Sequence, residues 1–212
     1  MKWRAPSSSV TLPGPGFIQP CIPTPAKQVP TSADWVYELK HDGYRLLVRK
    51  VDDRVHIYSR RGADFTKRFP RIVEAVRKLK ARSVLIDGEG IVYNDKGMPS
   101  FNMIHSKQHD HAVSLIAFDL LQLDGEDVRR TDLLARKLKL KLLVAKAKDG
   151  LEYNDHLTGA GSEIFAHACR LGHEGIVAKR IDLPYESGRS KRWLKIKNPD
   201  SPAMQRVRDE RF

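Results

Sequence analysis

Apolar and polar positions alternate with a period of two over several short runs, which predicts strands, and shift to a period near 3.6 elsewhere, which predicts helices. Trp35-Val36-Tyr37 and Leu46-Leu47-Val48 are β-favouring runs on either side of Asp42-Gly43, which turns the chain between them. Asp52-Asp53 separates Tyr44–Val51 from a third strand, Val55-His56-Ile57-Tyr58, that runs out into Ser59-Arg60-Arg61-Gly62. Pro70 opens a helix whose Ile72, Val73, Val76 and Leu79 form one apolar stripe. Val84-Leu85-Ile86 and Ile91-Val92-Tyr93 read as a strand pair around Asp87-Gly88-Glu89-Gly90, and Val113–Leu121 as a strongly apolar strand closed by a turn at Leu123-Asp124-Gly125-Glu126. The intervening stretch with His105, His109 and His111 reads as loop. A helix is expected over Asp132–Val144 with Leu133, Leu134, Leu138 and Leu142 as its apolar positions, and a second one capped by Ser162 and running to Leu171. Glu174 begins another strand, and Trp193-Leu194-Lys195-Ile196-Lys197 alternates strictly, so Lys195 and Lys197 project from one face. Pro6, Pro13, Pro15, Pro20, Pro23, Pro25 and Pro30 exclude regular helix from the first 34 residues, which are expected to form an extended arm over the domain.

Lys40 falls where the first of these strands ends. A turn accounts for Asp42 and Gly43, but not for Glu38, Lys40 and Arg45 crowding the same few residues. A lone lysine beside a hairpin is usually only solvated; the crowding points to a nucleophile. Such a lysine must attack as the neutral amine, yet with a free pKa of about 10.4 only about one in a thousand is neutral near pH 7.5, a deficit of roughly 4 kcal/mol. Desolvation and neighbouring cations are the available means of closing that gap, and Lys195 and Lys197 are candidates for the latter. Glu89 sits inside an apolar run and must be paired, metal-bound or at a cleft. Arg60 and Arg61 meet a turn where a phosphate could be held. The three histidines lack the cysteine or acid spacing of a metal site.

Composition narrows the function classes. The 212 residues suit one core, in one domain that could be two-lobed. Lys and Arg number 38 against 26 Asp and Glu, a net charge of +12 that favours a polyanionic partner such as nucleic acid. Cys21 and Cys169 are too few for a disulfide framework and have no zinc spacing, which fits a reducing, cytoplasmic compartment. The N-terminal residues lack the apolar stretch of a secretory signal, and no segment is long and apolar enough to span a bilayer.

The order of the motifs is more informative than any one of them: Glu38-x-Lys40-x-Asp42-Gly43-x-Arg45, Ser59-Arg60-x-Gly62, Asp87-Gly88-Glu89, Phe118-Asp119-Leu120-Leu121, Glu174-Gly175-Ile176-Val177-Ala178-Lys179 and Leu194-Lys195-Ile196-Lys197. With its spacers, from about Gly16 to Pro199, this series resembles the covalent nucleotidyltransferases, and closely the ATP-dependent DNA ligases of the bacterial end-joining type. The resemblance implies an α+β, ATP-grasp-like nucleotidyltransferase domain of two antiparallel sheets with flanking helices and a nucleotide groove between them.

By the same resemblance, Lys40 attacks the α-phosphate of ATP to give lysyl-AMP, AMP passes to the 5′-phosphate of nicked double-stranded DNA, and the 3′-hydroxyl displaces it. Glu38 is implied to read the adenine amino group and Phe118 to stack on the base. Arg45 and Glu89 are implied to hold the ribose, and Arg60 the ribose or nick phosphate. Lys195 and Lys197 face the α-phosphate, while Glu174 and Glu89 lie at Mg²⁺ or Mn²⁺. An RNA ligase or capping-type enzyme shares the lysine motif, and an accessory nucleic-acid-binding protein with a residual nucleotide pocket is a reading from another class. The expected organisation is a tail over 1–15, the nucleotidyltransferase domain over 16–199 and a charged tail over 200–212. Ligases of this type continue into an oligonucleotide-binding barrel with a further basic motif, whereas fifteen residues follow Lys197 here. The expectation is therefore a DNA grip through the basic face, or through another repair protein that supplies a clamp.

Overall fold

The computed structural model describes residues 16–95, 97–147 and 149–209. The tail assigned to 1–15 lies outside them. Two sheets form the frame. In the first, β1 (Cys21–Pro25), β10 (Gly188–Lys197), β9 (Gly175–Arg180) and β2 (Trp35–Leu39) lie side by side in that order. In the second the order is β4 (Arg54–Ser59), β3 (Tyr44–Val51), β5 (Ser83–Ile91), β6 (Ser114–Leu123) and β7 (Glu126–Asp127), with β8 (Leu151–Tyr153) also paired to β6. The helices are α1 (Pro70–Arg77), α2 (Phe101–His105), α3 (Leu133–Val144), α4 (Gly161–Arg170) and α5 (Pro202–Asp209). The chain is thus α+β with two sheets, and antiparallel pairing dominates. The exceptions are the parallel pairs β1–β10 and β6–β8. The proline-rich arm therefore contributes an edge strand, where a residue without an N–H is tolerated.

Strand alternation divides the first sheet cleanly. Tyr37, Ile176, Ala178 and Ile196 point to one face and pack with Ala168 of α4. The other face, carrying Glu38, Val177, Lys179, Trp193 and Lys195, looks toward the second sheet. There Leu47, Tyr58, Leu85, Phe118, Leu121, Tyr185 and Trp193 form a core between the sheets. The largest core lies on the far side of the second sheet, under α1, where Ile72, Val73 and Val76 are buried as their stripe predicts.

Four expectations need correction. Asp87-Gly88-Glu89-Gly90 does not separate two strands but lies within one continuous nine-residue strand, β5. Gly88 is there for close packing, since a Cβ would come within 2.6 Å of the Leu115 side chain and 2.8 Å of the Ile116 carbonyl. Ser162 does not cap α4; Ala160 occupies that position and makes no side-chain cap. His105 ends a helix, α2, and His111 lies in a short 3₁₀ turn, so that stretch is not plain loop.

The fourth correction is the largest. Helix α3 forms where expected, with the Asp132 carboxylate accepting from the Ala135 N–H at 2.7 Å as N-cap. Its orientation differs from the leucine stripe. Leu134, Leu138 and Leu142 are exposed at 39%, 60% and 70%, while Arg136 and Lys137 are buried with Leu133, Leu140 and Val144. The reason is electrostatic: Arg136 makes a two-pronged pair with Asp119 (2.8 and 3.0 Å), both fully buried, and Lys137 pairs with buried Glu38. A buried carboxylate without a partner costs more than exposing a leucine.

Candidate active site

The groove opens between the two sheets, and Lys40 stands at its rim just beyond the end of β2. Its N–H donates to the Gly175 carbonyl at 3.0 Å, which ties the end of β2 to the start of β9. Gly175 is required there: its φ is +135°, and a Cβ would collide with the Ile196 carbonyl of β10. The tie brings Glu174, immediately before β9, against Lys40, whose Nζ donates to the Glu174 carboxylate. Lys197, at the end of β10, lies 3.7 Å from the other oxygen of Glu174.

Buried acids and their cations organise the rest. Among the described residues, the buried carboxylates are Glu38, Asp87, Asp119 and Glu174, and each has a cationic partner. Glu38 accepts from Lys137 Nζ at 2.6 Å and from Asn154 Nδ2 at 3.1 Å, and lies 2.8 Å from Lys179 Nζ. Burial raises its carboxyl pKa, but the Lys137 and Lys179 charges outweigh that and hold it below the usual range. Desolvation lowers the pKa of Lys179 in turn, with Glu38 opposing. Two hydrogen bonds and one ion-pair contact leave Glu38 with acceptor capacity for a ligand in the groove.

On the facing sheet, Arg45 is fixed by Asp87 (2.6 and 2.7 Å) and by the Cys21 carbonyl at 3.1 Å. Tyr185 donates its hydroxyl to Asp87 at 2.7 Å and accepts from the Cys21 N–H. Phe118 is buried with two cations close to its ring, Arg45 Cζ at 4.4 Å and Lys179 Nζ at 4.5 Å from the centroid. Trp193 meets Phe118 edge-on at 6.1 Å. Glu89, opposite Arg45 in the β3–β5 register, lines the groove. Desolvation pushes its carboxyl up to about 7, against the pull of Lys40 and Arg45. Lys195 lines the same groove, and its pKa is lowered by desolvation and then by the neighbouring charges of Lys197, Lys40 and Arg60.

The structure thus brings Glu38, Lys40, Arg45, Arg60, Glu89, Phe118 and Lys195 around one groove, with Glu174 and Lys197 beside Lys40 at its edge. Sequence reasoning missed Lys137, Asn154, Lys179 and Trp193. Lys179 and Trp193 were within reach, because they follow from continuing the alternation that links Val177 and Lys195. Lys137 was masked by the leucines around it. In the histidine stretch, His105 Nδ1 shares a hydrogen bond with the Tyr44 hydroxyl at 3.1 Å, and among the described residues no three His, Cys, Asp or Glu side chains are placed to hold an ion together. No described helix is long and apolar enough to cross a membrane.

A lysine at the mouth of a groove between two sheets, with acids and further lysines converging on it, is the arrangement of a nucleotidyltransferase, and the ATP-dependent DNA ligase domain model matches residues 22–197. The chain belongs to that family. It is 34% identical over 198 residues to the multifunctional non-homologous end joining protein LigD of Pseudomonas aeruginosa, covering 92% of this chain and 24% of the relative. It is 36% identical over 178 residues to a DNA ligase of Thermococcus fumicolans, covering 76% of this chain and 32% of that protein. The crystal structure of the ligase domain of Mycobacterium tuberculosis LigD superposes with a TM-score of 0.76 at 34% identity, over 85% of this chain and 60% of that one. A mycobacterial DNA ligase D complexed with ATP and MES gives 0.75 at 34% identity, with the same coverage. The chain therefore spans about a quarter to a third of the length of these full-length relatives.

Proposed function

We propose that this chain is the adenylating domain of an ATP-dependent DNA ligase of the end-joining type, with residues 16–199 as the nucleotidyltransferase unit. The observation that carries the reading is Lys40 between the Glu174 carboxylate and a groove walled by Glu38, Phe118, Arg45 and Lys195. ATP enters with its base toward Phe118 and Glu38, whose remaining lone pair accepts from the exocyclic amine. The Lys40 amine attacks the α-phosphorus; a P–N bond forms, the bond to the β-phosphate oxygen breaks, and pyrophosphate leaves. AMP then passes to the 5′-phosphate at a nick in duplex DNA, and the adjacent 3′-hydroxyl displaces it to form the phosphodiester. Arg45 and Glu89 hold the ribose, Arg60 reaches the ribose or the nick phosphate, and Lys195 and Lys197 meet the negative charge gathering on the α-phosphoryl group.

Lys40 donates to Glu174 in the resting protein, so attack requires that contact to be exchanged for another cation on the carboxylate. Mg²⁺ or Mn²⁺ fits Glu174 and Glu89. Glu89 lines the groove with its carboxyl raised to about 7 by desolvation, a cost that a bound cation would offset, and two carboxylates suffice for an ion that takes its other ligands from phosphates and water. When bound, the ion supplies Lewis-acid stabilisation of the phosphoryl charge. Nicked duplex DNA is the polyanion that a charge of +12 serves, and a clamp from another repair protein would lengthen its residence.

The test is sealing of a nicked duplex with a 5′-phosphate, beside the same duplex with RNA strands, in ATP and Mg²⁺. Sealed DNA, lost in Lys40→Ala and restored to that variant by pre-adenylated nicks, is the expected result. Sealing of the RNA duplex and of neither DNA substrate, or no AMP on Lys40, would overturn the assignment.

A further inference from the structure

We infer that the exposed face of α3 is a docking surface for an acidic amphipathic helix of a partner protein. Leu134, Leu138 and Leu142 recur at intervals of four, so they stack along one side of α3 over about 12 Å. Their exposures rise from 39% to 70% along the helix, so they form one contiguous apolar line on the surface rather than scattered exposed leucines. Ala145 continues the stripe, and at this end it opens into a largely apolar groove of about 920 Å³ between α1 and the end of α3, floored by Ala75, Leu79, Leu143 and Ala147. The apolar line and the groove are continuous through Leu142.

Charge selects the occupant. Helical periodicity puts Lys141 on one flank of the leucine line and Lys139 on the other, and Lys146, just past the helix end, lines the groove. Arg71, Lys78 and Lys80 rim the groove, against Glu74 and Asp149. Lys139 pairs with Glu126 at 3.3 Å, and Lys141 pairs with Asp155 at 3.4 Å and lies 5.5 Å from the Tyr153 ring centroid; both ion pairs are exposed, so a partner could replace them at little cost. A second copy of the chain would bring lysine flank against lysine flank. A helix with leucines at every third or fourth position and Asp or Glu beside them meets both the apolar line and the basic rim, the helix-in-groove mode of recognition. None of these residues lines the nucleotide groove, so the surface is separate from the site of the proposed reaction.

The experiment uses a fluorescein-labelled 18-residue helical peptide of about that design, with leucines on one face and glutamates flanking them, and a version with lysines replacing the glutamates. Anisotropy titrations of the whole chain should show saturable binding of the acidic peptide only. Leu138→Gln with Leu142→Gln should weaken it by about tenfold or more, with AMP uptake from ATP unchanged. Lys141→Glu with Lys146→Glu should reverse the preference between the two peptides. The inference is overturned if neither peptide binds, if both bind alike, or if the leucine pair instead abolishes self-association in sedimentation. Binding of anionic vesicles in place of the acidic peptide would overturn it too.

Discussion

Replacing Lys137 by methionine should cost about 2–4 kcal/mol of stability, although a lysine-to-methionine change on a helix is ordinarily close to neutral. Lys137 Nζ donates to Glu38 at 2.6 Å and to the Asn154 carbonyl at 2.9 Å, and its side chain is 1% exposed. Methionine keeps the volume, so no cavity forms. What is lost is one cation from a buried carboxylate and the donor to a buried carbonyl. Breaking a buried pair typically costs 3–5 kcal/mol, and Lys179, still 2.8 Å from Glu38, reduces that to roughly 2–4. Urea unfolding at unchanged m-value measures it, with Leu138→Gln on the opposite face as the contrast, expected within about 0.5 kcal/mol of wild type. A double-mutant cycle with Glu38→Gln should return a coupling of about 1–3 kcal/mol. If Lys137→Met costs less than Leu138→Gln, or the cycle shows no coupling, the assigned face of α3 and the ion-pair account of it are wrong.

Three further outcomes follow from the groove. Because the Glu89 carboxyl titrates near 7 in the folded protein and near 4.5 unfolded, the native state holds the extra proton between those values. Its contribution to stability therefore falls as pH rises from about 4.5 to 7 and stays low above. His41, whose pKa burial lowers, acts in the opposite sense, so the difference between wild type and Glu89→Gln isolates the effect. That difference should change by about 1–2 kcal/mol between pH 5 and 8 without metal, after discounting for partial exposure, and a flat difference curve would contradict it. Glu174→Ala should slow AMP transfer to Lys40 by roughly 30- to 10³-fold, or about 2–4 kcal/mol, and an unaltered Mg²⁺ titration would count against its metal role. Phe118→Leu keeps apolar bulk and loses the ring, so the apparent KM for ATP should rise by about three- to tenfold; a lower Tm at unchanged KM would make Phe118 core alone.

What was legible in the sequence is what alternation and motif order encode. Tyr37 to Arg45 gave a strand ending at Lys40, Trp193 to Lys197 gave a strand with Lys195 on the groove face, and Ile72 to Val76 gave a buried helix stripe, all as found. The misread face of α3 has one cause: patterns of apolar residues cannot show which polar side chains have partners distant in sequence. Asp119 is 17 residues from Arg136, and Glu38 is 99 from Lys137, so neither pair leaves a local signal, yet together they turn α3 around. Val84–Ile86 and Ile91–Tyr93 read as two strands because Gly88 and Gly90 interrupt the apolar run, whereas both glycines are small to admit Leu115 and Leu46 against one strand. β1 was hidden because its prolines argue against a strand, and only an edge position makes them harmless. The final stretch read as a charged tail holds α5, whose Arg206 pairs with Asp42 beside the lysine motif, another contact far apart in sequence.

The central claim is that Lys40 becomes covalently adenylated, and intact mass spectrometry after incubation with ATP and Mg²⁺ tests it most directly. Wild-type protein should gain the mass of one AMP and lose it again when pyrophosphate is added. Lys40→Ala and Lys40→Arg should fold and gain nothing, since neither supplies a neutral amine. An adduct that persists in Lys40→Ala, or a wild-type protein that binds ATP and never changes mass, would contradict the account.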